Sequence, residues 1–437
     1  MVDLVQSLVK RNFGEADGEL LIGNIRVSLL AEKYGTPAFV YDCKVFDAKY
    51  GQLRSALPPR FSICYSVKAN PNPKVLRHFL SRGCGLEIAS AGEFLRGLDA
   101  GCHPSQMLFA GPGKTEAELE IVLSRGIGEI HLESETEAKR VSSISRRLSI
   151  RARVAIRVNP AGDAEGGAMR MGGRPAPFGI DEESLEHVLD FVLEDEALTF
   201  RGIHLFTGTQ ILDANLLLNQ YSHGLQIGRR AAKRTGAPIH RLDFGGGLGI
   251  PYFPHEQELN LEQLRTGLTT RFAEIENDPA FAGTEFLVEP GRFLAGEAGI
   301  YLARVTDIKV SRSKKFLVLE GGMNHHLAAS GNLGQTIKRN YPVALLNKLD
   351  AMPKETVDVV GPLCTPLDTL ARNVELPHAE IGDLFGIFQS GAYAFSASPL
   401  GFLSHASPAE IWVDSGRDTL ARPRGSFSDV LTGCSAD

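Results

Sequence analysis

The sequence predicts an α/β protein made of a closed (β/α)8 barrel and a mainly β domain that follows it. Three observations predict this. Eight short apolar, β-branched runs recur between residues 61 and 289, separated by helical patterns. That alternation means parallel strands with crossover helices, and eight such units close into a barrel. The most chemically suggestive stretches stand just past the predicted strands, the end where such barrels carry chemistry. After about residue 296 the texture changes to strands and turn signals with few long helices.

Residues 19–42 read as a strand, a short helix and a second strand, so segment 1–42 is expected to join the β domain. The barrel is expected over 43–295, with strands at 61–67, 84–89, 107–110, 129–133, 151–158, 200–207, 240–244 and 285–289. Helical patterns at 116–124, 135–147, 182–193 and 259–276 fall between them. After the first strand, Asn72 can cap a helix and Pro73 fits its first turn, with Val75, Leu76, Phe79 and Leu80 on one face. The Gly/Pro-rich stretch 160–177 is long for a βα loop and reads either as a lid or as a surface excursion. The β domain is expected over 296–425, with strands at 300–311, 315–320, 356–361, 383–388 and 409–413, and 426–437 as a flexible tail.

Bulk properties narrow the class. The chain has 437 residues, 46 basic and 52 acidic, for a net charge of −6. No Lys/Arg-rich block stands out, which argues against nucleic acid and anionic membranes as partners. No apolar run is long enough to span a bilayer, and the N-terminus lacks the features of a signal peptide. Six cysteines are scattered without C-x-x-C spacing, which argues against a zinc site or a disulfide framework and fits the cytoplasm.

Lys68 stands at the lip of the first predicted strand, where its ammonium must be solvated, paired or used. Lysines so placed form Schiff bases when desolvation lowers their pKa, though many are structural or bind phosphate. Glu87 opens a stretch running to Glu93 at the second strand, and Phe206 to Thr209 follow the sixth. Gly245, Gly246 and Gly247 can bring backbone N–H groups to an anion, or simply make a tight turn. Glu289 ends the eighth strand and leads through Gly291 to Arg292, which can clamp a phosphate or carboxylate or make a structural ion pair. An amine, a glycine cradle and a buried acid together match the aldehyde, phosphate and ring nitrogen of pyridoxal 5'-phosphate (PLP). Farther on, Gly361–Asp368 places the Cys364 thiol in a turn, and Tyr393 offers a phenol to a phosphate; each has an ordinary core reading as well.

YSVKAN (65–70), GGGLGI (245–250), EPGR (289–292), GPLC (361–364) and SGAY (390–393) occur in the order and approximate spacing of the fold-type III PLP decarboxylases. The chain resembles this diaminopimelate and ornithine decarboxylase family from about residue 18 to 413. The resemblance implies a PLP-binding TIM-like barrel and a C-terminal β domain. It implies that Lys68 carries the cofactor, that Glu289 holds its ring nitrogen, and that Gly245 to Gly247, Gly291, Arg292 and Tyr393 surround its phosphate. Glu87, Phe206 and Thr209 complete the cofactor set, and Arg292, Asn324, Thr365 and Asp368 the substrate set. Cys364 would come from the partner subunit of a homodimer with shared active sites and act as proton donor.

Departures from the family pattern bear on substrate. Phe206 stands where the family usually has a stacked histidine, with His204 two residues earlier on the same strand face and expected one layer deeper. Thr365 stands where members that bind a distal amino group carry an acid. The arginine that diaminopimelate decarboxylases carry after G-M-N is absent from Gly322-Met323-Asn324-His325-His326-Leu327-Ala328. GGMNHHLAASGN and MRMGGRPAPFGI resemble the subgroup acting on glutamate tethered to an acyl-carrier protein. The expected activity is therefore decarboxylation of a carrier-linked or otherwise modified amino acid, with diaminopimelate decarboxylation to L-lysine as the alternative. A fold-III racemase has no use for the GPLC thiol. A non-catalytic homologue would have lost cofactor residues that remain here.

Overall fold

The computed structural model describes residues 4–161, 169–170, 175–206, 208–333, 335, 337–352 and 355–432. Most of the 160–177 stretch, Thr207 and the end of the C-terminal tail lie outside them. The chain forms two compact units, one of Met1–Tyr50, Pro251–Gln257 and Arg292–Asp437, the other of Gly51–Ile250 and Glu258–Gly291.

The second of these is the barrel. Its strands are β1 Phe61–Ser66, β2 Gly85–Ile88, β3 Met107–Phe109, β4 Glu129–Leu132, β5 Ala152–Asn159, β6 Leu198–Leu205, β7 Arg241–Asp243 and β8 Glu285–Val288. Each pairs in parallel with the next, and β8 returns to β1 through Phe286 opposite Phe61, which closes the sheet. Helices between the strands start on side-chain caps: Asn72 accepts from Lys74 N–H, Ser90 from Glu93, and Thr115 forms a capping box with Glu118. The capped Pro73–Ser81 helix buries Val75, Leu76 and Phe79 of the face its spacing predicts, while Leu80 is only half-buried.

The other unit is built on Gly299–Ser311, a 13-residue strand. It pairs antiparallel with Lys314–Leu319, Leu384–Ile387 and Ala38–Asp42, and Ala38–Asp42 pairs in parallel with Ala409–Asp414. The N-terminal segment is thus stitched into this sheet, and Leu20, Ile22, Val27, Val40, Ile300 and Ile411 share one core. Strands Val343–Leu345, Thr369–Leu376 and Arg417–Arg422 were not apparent in the sequence. Arg417–Arg422 (RDTLAR) is too polar to read as a strand; pairing with Ala409–Asp414 makes it one.

Candidate active site

Strand ends of the barrel position the first group of residues. Lys68 lies in a 3₁₀ turn directly after β1, and its Nζ donates to both carboxylate oxygens of Glu87, at 2.8 and 2.6 Å. Glu87, buried on β2, also accepts from the Ser66 hydroxyl. Burial pushes its carboxyl up, but Lys68 and Ser66 more than offset this and hold it below the usual range. Lys68 remains partly exposed, its side chain at 43%, so the amine is both charged-paired and reachable.

Glu289 follows β8. Its N–H donates to Gly245 O at 2.8 Å, which binds the β7 and β8 loops together. Its carboxylate is 3.3 Å from His204 Nε2, and Oε1 has no hydrogen-bond partner. Burial, then Glu87, pushes this carboxyl up to about 7. A buried acid with an open oxygen at a barrel mouth suits a cationic ring nitrogen.

The turn after β7 requires glycine. Gly245 and Gly247 have φ of +67° and +97°. A Cβ on Gly245 would meet Leu205 O at 2.3 Å, and one on Gly247 would meet Gly208 O at 2.7 Å. The side-chain-free surface that results is the kind of concavity a phosphate occupies. Phe206 packs at this turn, 3.1 Å from the position a Gly245 Cβ would take, while His204 beneath it is fully buried. Thr209 pairs with Met169 in a two-residue ladder.

Several charged residues here escaped the sequence reading. Arg157 on β5 donates to Glu133, just past β4, at 2.6 Å, and its guanidinium lies 5.8 Å from the Phe206 ring centroid. Glu133 also accepts from Gly111 and Gly179 N–H, both at 2.7 Å. Inspecting the ends of β4 and β5 as closely as those of β1 and β8 would have found both. His131 and Asp243 lie deeper in the barrel, with the two histidine rings 4.3 Å apart.

In the other unit, Arg292 Nη1 donates to Tyr252 OH at 3.0 Å, and the guanidinium sits 4.7 Å from the Tyr393 ring centroid. Arg292 Nε is buried with no partner. Tyr393 adopts a left-handed backbone, φ +53°, a conformation uncommon for non-glycine residues. Cys364 is exposed. Next to it, Thr365 is engaged locally: its N–H donates to Leu363 O at 2.8 Å and its hydroxyl accepts from Leu367 N–H at 3.3 Å. Asp368 is buried and accepts from Met323 N–H at 2.6 Å and Leu363 N–H at 2.9 Å. Asn324 is fully buried, yet neither its amide nitrogen nor its oxygen has a partner.

The residues present fit PLP on structural grounds. A reachable lysine, a cradle that any Cβ would fill, and a buried acid with an unpartnered oxygen supply the three contacts the cofactor needs. Comparison with known proteins agrees. Residues 44–296 match the family model "Pyridoxal-dependent decarboxylase, pyridoxal binding domain". The chain belongs to the PLP-dependent decarboxylases of fold type III. It is an enzyme of that class and uses PLP. It is 36% identical to the L-glutamyl-(BtrI acyl-carrier protein) decarboxylase of Niallia circulans, over 93% of this chain and 95% of that one. It is 33% identical to the diaminopimelate decarboxylase of Methanothermobacter thermautotrophicus, over 95% of each. The crystal structure of diaminopimelate decarboxylase from M. jannaschii with L-lysine superposes with a TM-score of 0.90, at 25% identity and 98% coverage of both chains. Among the described residues, no helix is long and apolar enough to cross a membrane.

Proposed function

We propose that this decarboxylase acts on an α-amino acid presented on a carrier protein, glutamate or a close analogue, and works as a homodimer with shared active sites. The observation that carries the substrate reading is the fate of the acids beside Cys364. Thr365 occupies the position after the thiol, and the Asp368 carboxylate is committed to two backbone amides. A free distal ammonium would enter without a carboxylate to pair it, a severe loss in a dry pocket. A substrate whose far end is a thioester brings no such charge. The similarity to a glutamyl carrier-protein decarboxylase supports this reading.

PLP, when bound, supplies the electron sink for the bond to the departing carboxylate. Lys68 would hold it covalently, Glu289 would face its ring nitrogen, and Gly245 to Gly247 with Arg292 and Tyr393 would receive its phosphate. Phe206 offers an apolar face in place of an imidazole, so it excludes water without adding charge. Cys364 Sγ–H, from the partner subunit, would deliver the proton to the carbon that has lost CO2.

The second reading is decarboxylation of free diaminopimelate to L-lysine, favoured by the similarity to diaminopimelate decarboxylases along nearly the whole chain. Measuring CO2 release by the PLP-loaded protein separates them. Turnover of glutamyl carrier protein with none of free diaminopimelate, ornithine or glutamate is the expected result. Rapid turnover of free diaminopimelate would replace the proposal with the second reading.

A further inference from the structure

Inside the barrel, four side chains from four different strands close on one another: His131 of β4, His204 of β6, Asp243 of β7 and Glu289 after β8. One donor atom from each lies within 4.8 Å of the others, and none of the four residues is more than 5% exposed. Asp243 Oδ1 accepts from Gly245 N–H at 2.8 Å. Its Oδ2 and Glu289 Oε1 have no donor facing them. Nearby cations are engaged with other acids. Arg241 is bound to Glu129 and Glu285, Lys68 to Glu87, and Arg157 to Glu133.

Two buried carboxyl groups side by side cannot both ionise without a cation between them, so one proton stays in the pair. The charged and titratable groups around them decide which acid keeps it. Glu289 is faced by Lys68 after β1, Glu87 of β2, His131 of β4 and Asp243 of β7, with His204 of β6 at 3.3 Å. Asp243 is faced by Cys64 of β1, by both histidines, by Glu289 and by Tyr221 of the Ala214–Thr235 helix. His131 favours an anion at either acid, and Lys68 adds to this at Glu289. Burial followed by Glu289 outweighs the histidines at Asp243 and pushes it up to about 8.

We propose that Asp243 is a carboxylic acid whose proton is donated to Glu289, making it the positioning residue that keeps Glu289 anionic and aimed, while its other oxygen fixes the glycine turn through Gly245 N–H. One side chain would thereby set both the ring-nitrogen acid and the phosphate turn. The cofactor consequence rests on the assignment of Glu289 to the ring nitrogen; the proton on Asp243 does not.

Asp243→Asn tests the idea, because an amide can accept from Gly245 and donate to Glu289 as the neutral acid does. Asp243→Ala can do neither. Infrared difference spectra of the apoprotein at pH 7 should show one protonated-carboxyl band lost in Asp243→Asn and retained in Glu289→Gln; other protonated acids cancel in the difference. PLP affinity, read by quenching of tyrosine and tryptophan fluorescence, should stay near wild type in Asp243→Asn. It should fall about 10- to 100-fold in Asp243→Ala, the loss of one hydrogen bond to a charged group. A band that survives in Asp243→Asn, or Asn and Ala variants equally impaired, overturns the proposal. So does stoichiometric zinc uptake by the wild-type apoprotein that is lost in His131→Ala, since a metal would then occupy the proton's place. Unchanged PLP affinity in Glu289→Gln, with the Asp243 band still present, would overturn only the assignment of Glu289.

Discussion

Lys68 Nζ lies 2.8 and 2.6 Å from the two carboxylate oxygens of Glu87, a bifurcated pair that joins the ends of β1 and β2. The Glu87 carboxylate neutralises the charge of a Lys68 ammonium at this point of the rim. It also separates two properties of Lys68, its charge and its nucleophilicity. Lys68→Arg keeps the first and loses the second. The expected outcome is a thermal melt close to wild type, with no CO2 released from any substrate and no yellow cofactor absorbance. Retained CO2 release would remove Lys68 from the chemistry.

Gly245→Ala places a methyl group where Leu205 O stands 2.3 Å away, on a backbone with φ +67°. The substitution should cost about 1–3 kcal/mol of stability, the range for a strained backbone position. A chemical denaturation curve checks it, and PLP affinity should fall in parallel because the cradle must shift.

The acid missing beside Cys364 can be restored. Thr365→Glu should raise kcat/KM for free diaminopimelate by about 10-fold or more, the value of one charge-assisted hydrogen bond. Turnover of the carrier-linked substrate should fall. Coupled lysine detection and CO2 release measure the two.

If each active site takes Cys364 from the other protomer, two inactive variants rescue each other. Lys68→Ala mixed with Cys364→Ala and allowed to exchange subunits should recover CO2 release that neither shows alone. No recovery after proven exchange would place both residues in one protomer.

Two sets of buried groups should contribute to the pH dependence of stability with opposite signs. His326 and His325 in the β unit are pushed down to about 3 and about 4, in each case chiefly by burial. Their folded pKa values lie below the unfolded value near ~6.5, so the unfolded state binds the proton first and stability is lost as pH falls. Between pH 7 and pH 5 each removes about 2 kcal/mol. His326→Gln should flatten that acid limb in melts taken across the range. Asp243, pushed up to about 8 by burial, acts the other way. Its folded pKa exceeds the unfolded one, so its contribution is full at low pH and is lost as pH rises toward 8. Asp243→Asn should remove that alkaline decline.

Linear sequence was enough for much of this molecule. The eight barrel strands fall within a residue or two of where apolar runs and turn signals put them, because each run satisfies its own burial pattern. Lys68, Glu289 and the glycine turn were legible for a related reason. A charge at the end of an apolar strand, or three consecutive glycines, is anomalous in one dimension.

The partnerships were not legible. Nothing in the spacing of Glu133 and Arg157, or of Tyr252 and Arg292, announces that they meet at 2.6 and 3.0 Å. Asp243 reads as an ordinary strand residue until β7 and β8 are paired and the glycine turn folds back on it. By itself, then, the sequence determined which strands form, in what order, and which residue types stand at their ends. Only the tertiary structure decided which side chains of different strands share a layer, since that depends on the stagger of a closed sheet rather than on distance along the chain.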